Sequence, residues 1–344
     1  MTILTEKATF AGGIVAVVMA VLSGCAKETT VDTSGIEKEY LEAWMNVNHP
    51  GISPTGRGIY ILEDQPGAGD AISDDDFYIF LDYTETDLDG NVTSTTSKKM
   101  SQQIGSYSPG NYYGDDILIL DEAYTQIGVL DLIEGMRVGG TRVGVVPGWL
   151  NVGLADYNNS KSGSNSIFTI YLKDKTPDIT AWEIDTLSRY VAIHMPGTDS
   201  TKFGYYAKTL KEPTGTDTFS ADTSFYINYT GRLLNGQVFD TTIEDTAKVY
   251  GIYSSSKDYA PMVVKLDADD YTRTTISTND TSEGSTVVDG FAFCLSRLRP
   301  FEKVVCAFYS ELGYSYSGSG SAIPKFAPIV FEIEVVENPS EESL

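Results

Sequence analysis

A chain of 344 residues is long enough for about two domains of roughly 150 residues, each large enough to bury its own core. Its 48 acidic side chains against 24 basic ones leave a net charge of -24. Phosphate backbones would repel such a surface, since nucleic-acid binders must neutralise them with Lys and Arg, so nucleic acid is excluded as a partner. Tyr outnumbers Phe by 22 to 14 and Gly reaches 32, a composition that suits a β-rich protein outside the cytoplasm.

Near the amino terminus Lys7 precedes an apolar run over 10–22, then Leu22-Ser23-Gly24-Cys25. That run is too short to span a bilayer as a helix and has the length of a signal-peptide core. Leu-Ser-Gly-Cys resembles the lipobox of bacterial lipoproteins, a resemblance that implies cleavage before Cys25 and lipidation of its thiol. The leader is therefore assigned to 1–24 and a polar, flexible tether to 25–34. An envelope location follows as an expectation: a lipid anchor in the outer membrane, on its periplasmic or surface face.

Next come two stretches that repeat. Asn48-His49-Pro50-Gly51 parallels Ile193-His194-Met195-Pro196-Gly197, and each follows a helical pattern. In the first, Ile36, Tyr40, Leu41, Trp44 and Met45 recur at spacings of three and four; in the second, Trp182, Ile184, Leu187, Tyr190, Val191 and Ile193 do so. The two histidines, the only ones in the chain, then sit at helix ends, where a cation favours the dipole, and a structural role is preferred to a catalytic one. Strands are expected at 58–62 and 203–207, each followed by a turn-rich segment. Phe80-Leu-Asp-Tyr83-Thr-Glu-Thr-Asp-Leu88-Asp-Gly90-Asn-Val-Thr93-Ser94-Thr-Thr96 reappears as Tyr226-Ile-Asn-Tyr229-Thr-Gly-Arg-Leu-Leu-Asn235-Gly-Gln-Val-Phe239-Asp240-Thr-Thr242. The Tyr-Thr, the Gly, the Val and the Thr-Thr recur in register; the Phe-Asp pair does not. The chain reads as a duplication in which one copy carries a chemical feature that the other lacks.

Within the second copy Phe225, Ile227 and Tyr229 alternate onto one strand face, and Asn235-Gly236 signals a two-residue type I′ hairpin, as Asp89-Gly90 does in the first. Thr176-Pro177-Asp178 separates the copies. Val288, Phe291, Leu295 and Leu298 form a helical stripe, and a strand is expected over 303–309. Cys294 and Cys306, which lie in these two elements, are read as buried hydrophobes in preference to a disulfide. The last strand places Ile329, Phe331, Ile333 and Val335 on one face and Glu332 and Glu334 on the other; 167–172 ends the first copy similarly. No Cys/His spacing suits a metal, and neither a metal nor a cofactor is expected. These elements specify an α+β class, with an antiparallel bent sheet wrapped around a short helix in each copy and an amphipathic helix before it.

Tyr229-Thr-Gly, Asn235-Gly, Phe239-Asp240, Val287-Val-Asp-Gly-Phe291 and Ala322-Ile-Pro-Lys-Phe-Ala-Pro-Ile-Val-Phe-Glu-Ile-Glu-Val-Val336 together resemble the FKBP-type peptidyl-prolyl cis-trans isomerases. The resemblance covers 205–337 well. In the first copy Glu134-Gly-Met-Arg-Val-Gly-Gly-Thr-Arg-Val-Gly-Val-Val-Pro147 resembles the family's helix-to-strand segment. It implies tandem FKBP-like domains, 35–175 and 176–338, with an acidic tail at 339–344. By the family's pattern Tyr229, Phe239, Asp240 and Tyr314 would be the catalytic residues. Val287, Val288, Phe291, Ile323 and Phe331 would bind substrate. Asp240 would meet the substrate's carbonyl region or orient Tyr229, and Tyr314 would donate to the peptide carbonyl. Phe291 stands where the family often has Trp. The implied partners are proline-containing polypeptides and, through Cys25, a membrane.

The sequence departs from the family in three places. Arg299-Pro300-Phe301-Glu302 replaces a usual glycine turn. The span from 241 to 286 is long for a loop; extra strands are expected at 249–253 and 262–266, and the region could act as a flap over the pocket. In the first copy Thr93-Ser94 replace Phe-Asp, Val129 falls where a pocket-floor aromatic belongs, and Asn151 falls at the position of Tyr314, so that copy is expected to be inactive. Isomerisation in the second copy, aiding the folding of exported proteins, is the leading function. A non-catalytic binding or chaperone module is the alternative, and a part in surface nutrient capture is a third.

Overall fold

The alternation at the carboxy terminus sets the pattern for the rest of the molecule. Ile329, Phe331, Ile333 and Val335 are all buried on one face of a strand that runs through the middle of a sheet. The computed structural model describes residues 34–158, 163–221, 223–279 and 284–339. The leader, Cys25 and the tether up to 33 lie outside the described residues, as does most of the acidic tail. No helix among the described residues is long and apolar enough to cross a membrane.

The first half runs α1 (Ser34–Asn48), β1 (Tyr60–Gln65), β2 (Tyr78–Thr86), β3 (Val92–Thr95), α2 (Lys98–Gln103), β4 (Asp116–Ile119), α3 (Ile127–Ile133), β5 (Thr141–Val146), α4 (Leu154–Asn158) and β6 (Ser166–Thr176). The second runs α5 (Ile179–His194), β7 (Ser200–Lys202), β8 (Tyr205–Lys211), β9 (Ser224–Leu233), β10 (Val238–Thr241), α6 (Glu244–Val249), β11 (Met262–Lys265), β12 (Thr275–Ser277), β13 (Ser285–Thr286), α7 (Asp289–Leu295), β14 (Lys303–Phe308) and β15 (Ile329–Val336).

Both sheets are antiparallel and share one strand order. The first is β1-β5-β6-β2-β3 with β4 also on β2. The second contains β8-β14-β15-β9-β11 with β10 also on β9, extended by β7 at one edge and by β12 and β13 at the other. Each sheet packs over a short helix. Val129, Leu132 and Ile133 of α3 lie against Leu81, Phe168 and Ile170. Phe291, Cys294 and Leu295 of α7 lie against Ile227, Tyr229, Phe308 and Phe331. The helix fits closely because Gly290 has no side chain; a Cβ there would sit 2.5 Å from the Phe308 ring. Cys294 and Cys306 are both buried and free.

Five expectations need correction. The hairpins are not type I′: among the described residues Gly236 and Gly90 have positive φ (both 86°), while Asn235 and Asp89 do not. Gly236 N–H donates to the Leu233 carbonyl and Leu233 N–H to Gln237, so a type I turn is closed by a glycine bulge. In the helices, Leu41, Met45, Leu187 and Val191 are buried, but Ile36, Tyr40 and Ile193 are exposed, so the buried stripe is narrower than the apolar spacing implies. The buried stripe of α5 instead includes Glu183, one turn before Leu187. The amino-terminal strands start later than expected, at Tyr60 and Tyr205, and Phe203 is exposed. No strand covers 249–253: Val249 ends α6 and is exposed. The extra segment is also shorter than 241–286, since β10, α6 and β11 repeat β3, α2 and β4. β4 ends at Ile119 with α3 beginning at Ile127, whereas β11 ends at Lys265 with α7 beginning only at Asp289, and the β12–β13 hairpin fills the difference. In the Arg299-Pro300-Phe301-Glu302 turn, Phe301 takes the positive φ (59°) that glycine ordinarily supplies. Buried Glu302 braces it by accepting from Arg299 Nη2 (2.8 Å) and Thr209 (2.9 Å).

Candidate functional site

The concave face of the second sheet and α7 enclose a cavity of about 420 Å³. Its lining contains all nine pocket residues selected from the sequence: Tyr229, Phe239, Asp240, Val287, Val288, Phe291, Tyr314, Ile323 and Phe331. Tyr229 and Phe331 come from adjacent strands β9 and β15, where Phe331 pairs with Gly231 and Ile333 with Tyr229. Phe239 and Asp240 lie on β10, which pairs antiparallel with β9 and has a register shift between Val238 and Asp240. Val287 and Val288 lead into α7, and Phe291 is one turn inside it. Tyr314 and Ile323 come from the segment between β14 and β15.

Phe291 is the floor, 3% exposed. Its ring lies 4.5 Å from that of Phe331 and 5.4 Å from that of Tyr229. Phe239 meets Phe331 edge-on at 5.6 Å. Pairs of this kind add about 0.5–1.5 kcal/mol each beyond their buried area, so the apolar shelf is held in shape before any ligand arrives. Gly231 makes it possible: a Cβ at that position would come within 2.5 Å of the Phe239 ring and 2.8 Å of Phe331. Here the requirement is room for two rings, not backbone conformation.

Two tyrosines and one carboxylate supply polarity. The Tyr229 hydroxyl donates to Asp240 Oδ2 at 2.6 Å. Burial, then the adjacent Asp240 charge, pushes the Tyr229 phenol well above its ordinary range, so it remains a donor. Asp240 Oδ1 also accepts from the Thr241 backbone N–H (2.9 Å) and from Lys257 Nζ. Burial, then Asp240, likewise raises Tyr314, whose hydroxyl has no hydrogen-bond partner among the described residues and is free to donate into the cavity. The site thus presents an apolar floor, one fixed carboxylate at the rim and one unused donor.

Residues that the sequence did not single out for this cavity also contribute. Ile276, Ser285 and Thr286 line it from the β12–β13 hairpin, and Ser319 and Ala322 from the opposite wall. The long separation between β11 and α7 was the only sequence signal for the hairpin wall. Lys257 lies in a loop with no motif to mark it. Among the described residues no group of His, Cys, Asp or Glu could hold a metal.

The first half has a cavity in the corresponding place, about 320 Å³, lined by Tyr83, Glu85, Asp116, Val129, Asn151 and Phe168 among others. Ser94 occupies the position of Asp240, and its Oγ lies 3.0 Å from the Tyr83 hydroxyl. Glu85 stands where the second half has Gly231, and its Oε1 accepts from Ser166 (2.6 Å) and from Asn151 (3.4 Å). A polar network therefore takes the place of Phe239, while Phe168 keeps the position of Phe331. The two histidines lie apart from both cavities: His49 packs on Trp44 (5.3 Å) and His194 stacks on Tyr190 (4.3 Å).

The chain is 26% identical over 127 residues to a probable FKBP-type peptidyl-prolyl cis-trans isomerase from Haemophilus influenzae, covering 37% of this chain and 40% of that protein's length. It resembles the crystal structure of a peptidyl-prolyl cis-trans isomerase from Pseudomonas syringae (22% identity, 46% of this chain and 94% of that one, TM-score 0.31). It also resembles FkpA from Escherichia coli (18% identity, 46% and 57%, TM-score 0.31) and a wheat protein of three FKBP domains (14% identity, 82% and 95%, TM-score 0.29). The family model of the FKBP-type peptidyl-prolyl cis-trans isomerases matches residues 215–336, and together with the Haemophilus relative it supports a likeness to that family.

Proposed function

We propose that the chain is a peptidyl-prolyl cis-trans isomerase whose activity resides in the second domain, 176–338, and that the first, 35–175, is inactive. The observation that carries this reading is the convergence of Tyr229, Phe239, Asp240, Phe291, Tyr314 and Phe331 on one apolar cavity. Rotation about a prolyl amide faces a barrier of ~18–20 kcal/mol because resonance stiffens the C–N bond. No nucleophile or metal is needed to lower it. A site that seats the proline ring against Phe291 and Phe331 and excludes water favours the twisted amide, which has lost resonance and carries less charge separation. Tyr314 donates to the peptide carbonyl and fixes its direction while the amide turns. Asp240 holds the Tyr229 hydroxyl, which keeps that ring against the shelf; this orienting role is the one its 2.6 Å bond supports.

In this reading Cys25 carries a lipid that anchors the protein in the bacterial outer membrane, and residues 25–34 form the tether. The substrates are exported polypeptides whose folding waits on proline. A protease-coupled proline isomerisation assay on the full chain tests the enzymatic part. A rate above the uncatalysed one, with a preference among residues preceding Pro, is expected. No acceleration on any of several peptides would leave the non-catalytic binding module as the reading.

A further inference from the structure

We infer that the first half is a platform that fixes one wall of the second half's cavity, with Asn111 and Asp116 as positioning residues that govern substrate affinity. The inference rests on the isomerase reading above for its kinetic part. The wall in question is Ser319–Phe326, which supplies Ser319, Ala322 and Ile323 to the cavity.

This wall has few bonds of its own. Ser319 and Ile323 exchange backbone hydrogen bonds (2.8 and 3.1 Å), and Phe326 N–H donates to Ser315 (2.9 Å). It is also strained, because Ser315 and Phe326, neither of them glycine, have φ of 49° and 53°. Such conformations cost on the order of 1–3 kcal/mol each and persist only where the surroundings hold them. What holds Phe326 comes largely from the other half. Tyr112 N–H donates to the Ser321 carbonyl at 2.7 Å. Ser321 Oγ donates to Asn111 Oδ1 at 2.7 Å, and the Asn111 carbonyl accepts from Gln237 Nε2 at 3.0 Å. Lys325 Nζ lies 3.6 Å from Asp116 Oδ1 and 3.5 Å from the Ile117 carbonyl. The Phe326 ring, 5% exposed, is buried with Phe80, Ile117 and Ile119 and meets Tyr78 edge-on at 5.3 Å.

The contacts begin at Ser321 and end at Phe326, so they bracket Ala322 and Ile323, which face the cavity. With one end hydrogen-bonded to the Asn111 side chain and the Tyr112 backbone and the other end buried by its ring, the segment cannot move away without first leaving the first half. The same half whose cavity lacks the rings of Phe239 and Phe291 therefore has a task that needs no pocket chemistry. It keeps the neighbouring wall in place and limits which side chains beside the proline are accepted.

The test uses the full chain with Asn111→Ala and Asp116→Ala together, and separately Phe326→Gly, in which glycine accepts the positive φ but the anchor is removed. Neither alters a residue assigned to the catalytic machinery. Native-state amide exchange across 319–326 is expected to accelerate roughly tenfold, with β9 and β15 unchanged. KM for proline peptides is expected to rise about threefold to tenfold while kcat changes less than about twofold, the signature of lost ground-state positioning. A platform that serves stability alone would lower Tm and leave KM and peptide preference as they were, and that result overturns the inference. Unchanged exchange in both variants overturns it as well. If the parent chain has no isomerase activity, the proposed function fails by itself, and the exchange measurement alone then decides whether the first half holds the wall.

Discussion

The two cavities occupy the same place on the same strand order, yet their chemistry is opposite. In the second half Gly231 leaves space that Phe239 and Phe331 fill with aromatic surface. In the first half Glu85 occupies that backbone position and Thr93 stands in place of Phe239, so a carboxylate bonded to Ser166 and Asn151 replaces that ring, while Phe168 keeps the position of Phe331. The Tyr-to-β-strand hydroxyl contact survives in both, to Asp240 at 2.6 Å and to Ser94 at 3.0 Å. The strand order and the tyrosine contact are thus common to both halves, while the rings of Phe239 and Phe291 are present in one cavity only.

The comparison can be broken most forcefully by Gly231→Glu, which imposes the first half's residue on the second. The new side chain displaces Phe239 and Phe331, and overpacking of this kind costs about 1–3 kcal/mol. A fall of kcat/KM by roughly a hundredfold is expected, with a modest loss of Tm. Retention of full activity would show that the shelf is not the operative feature.

A second effect belongs to the interior that joins α5 to the second sheet. Glu183 accepts from the Ser310 backbone N–H and hydroxyl, both at 2.7 Å. Burial outweighs these bonds and pushes its carboxyl up to about 7. A carboxyl raised above its unfolded value binds more protons when folded, so its contribution to stability is present at low pH and is lost as pH rises through that window. Between pH 5 and 7.5 the chain is expected to lose on the order of 2 kcal/mol of stability from this group, and Glu183→Gln should flatten the slope. An unchanged pH dependence in that variant would remove the assignment.

A smaller change sharpens the role of the extra hairpin. Ile276 has no counterpart in the first half's cavity, and Ile276→Ala is expected to raise KM about threefold to tenfold with little change in kcat, given the roughly 1–2 kcal/mol of apolar contact at stake. Equal effects on kcat and kcat/KM would mean that the hairpin acts in the transition state instead. The smallest expected effect is none. Grafting Glu85→Gly, Thr93→Phe and Ser94→Asp into a chain already silenced in the second half should restore no isomerase rate, since Val129 and Asn151 still stand where Phe291 and Tyr314 would be required. A measurable rate would mean that three residues alone separate the two halves.

Much of this was legible in the sequence. Alternation fixed β9 and β15, the strand expected at 262–266 coincides with β11, and the resemblance named residues that share one cavity. What was hidden has physical causes. A hairpin glycine signals a reversal but not which turn precedes it, so the bulged form was misread as type I′. A buried acid such as Glu183 breaks the apolar stripe that periodicity relies on, because its partner Ser310 is distant in sequence. Lys257 and the Asn111–Tyr112 contacts depend on how loops meet in space, and no local pattern encodes that. Aromatics that line a pocket and aromatics that fill a core also carry the same pattern; only the unfilled space in front of Phe291 distinguishes them.

The central claim is that one half acts on proline and the other does not. The full chain carrying Phe239→Ala and Asp240→Ala, assayed for proline isomerisation beside the parent, tests it most directly. The account predicts a clear rate in the parent and a loss of about a hundredfold or more in the variant, with Tm lowered by only a few degrees. A variant that isomerises proline as fast as the parent would contradict it.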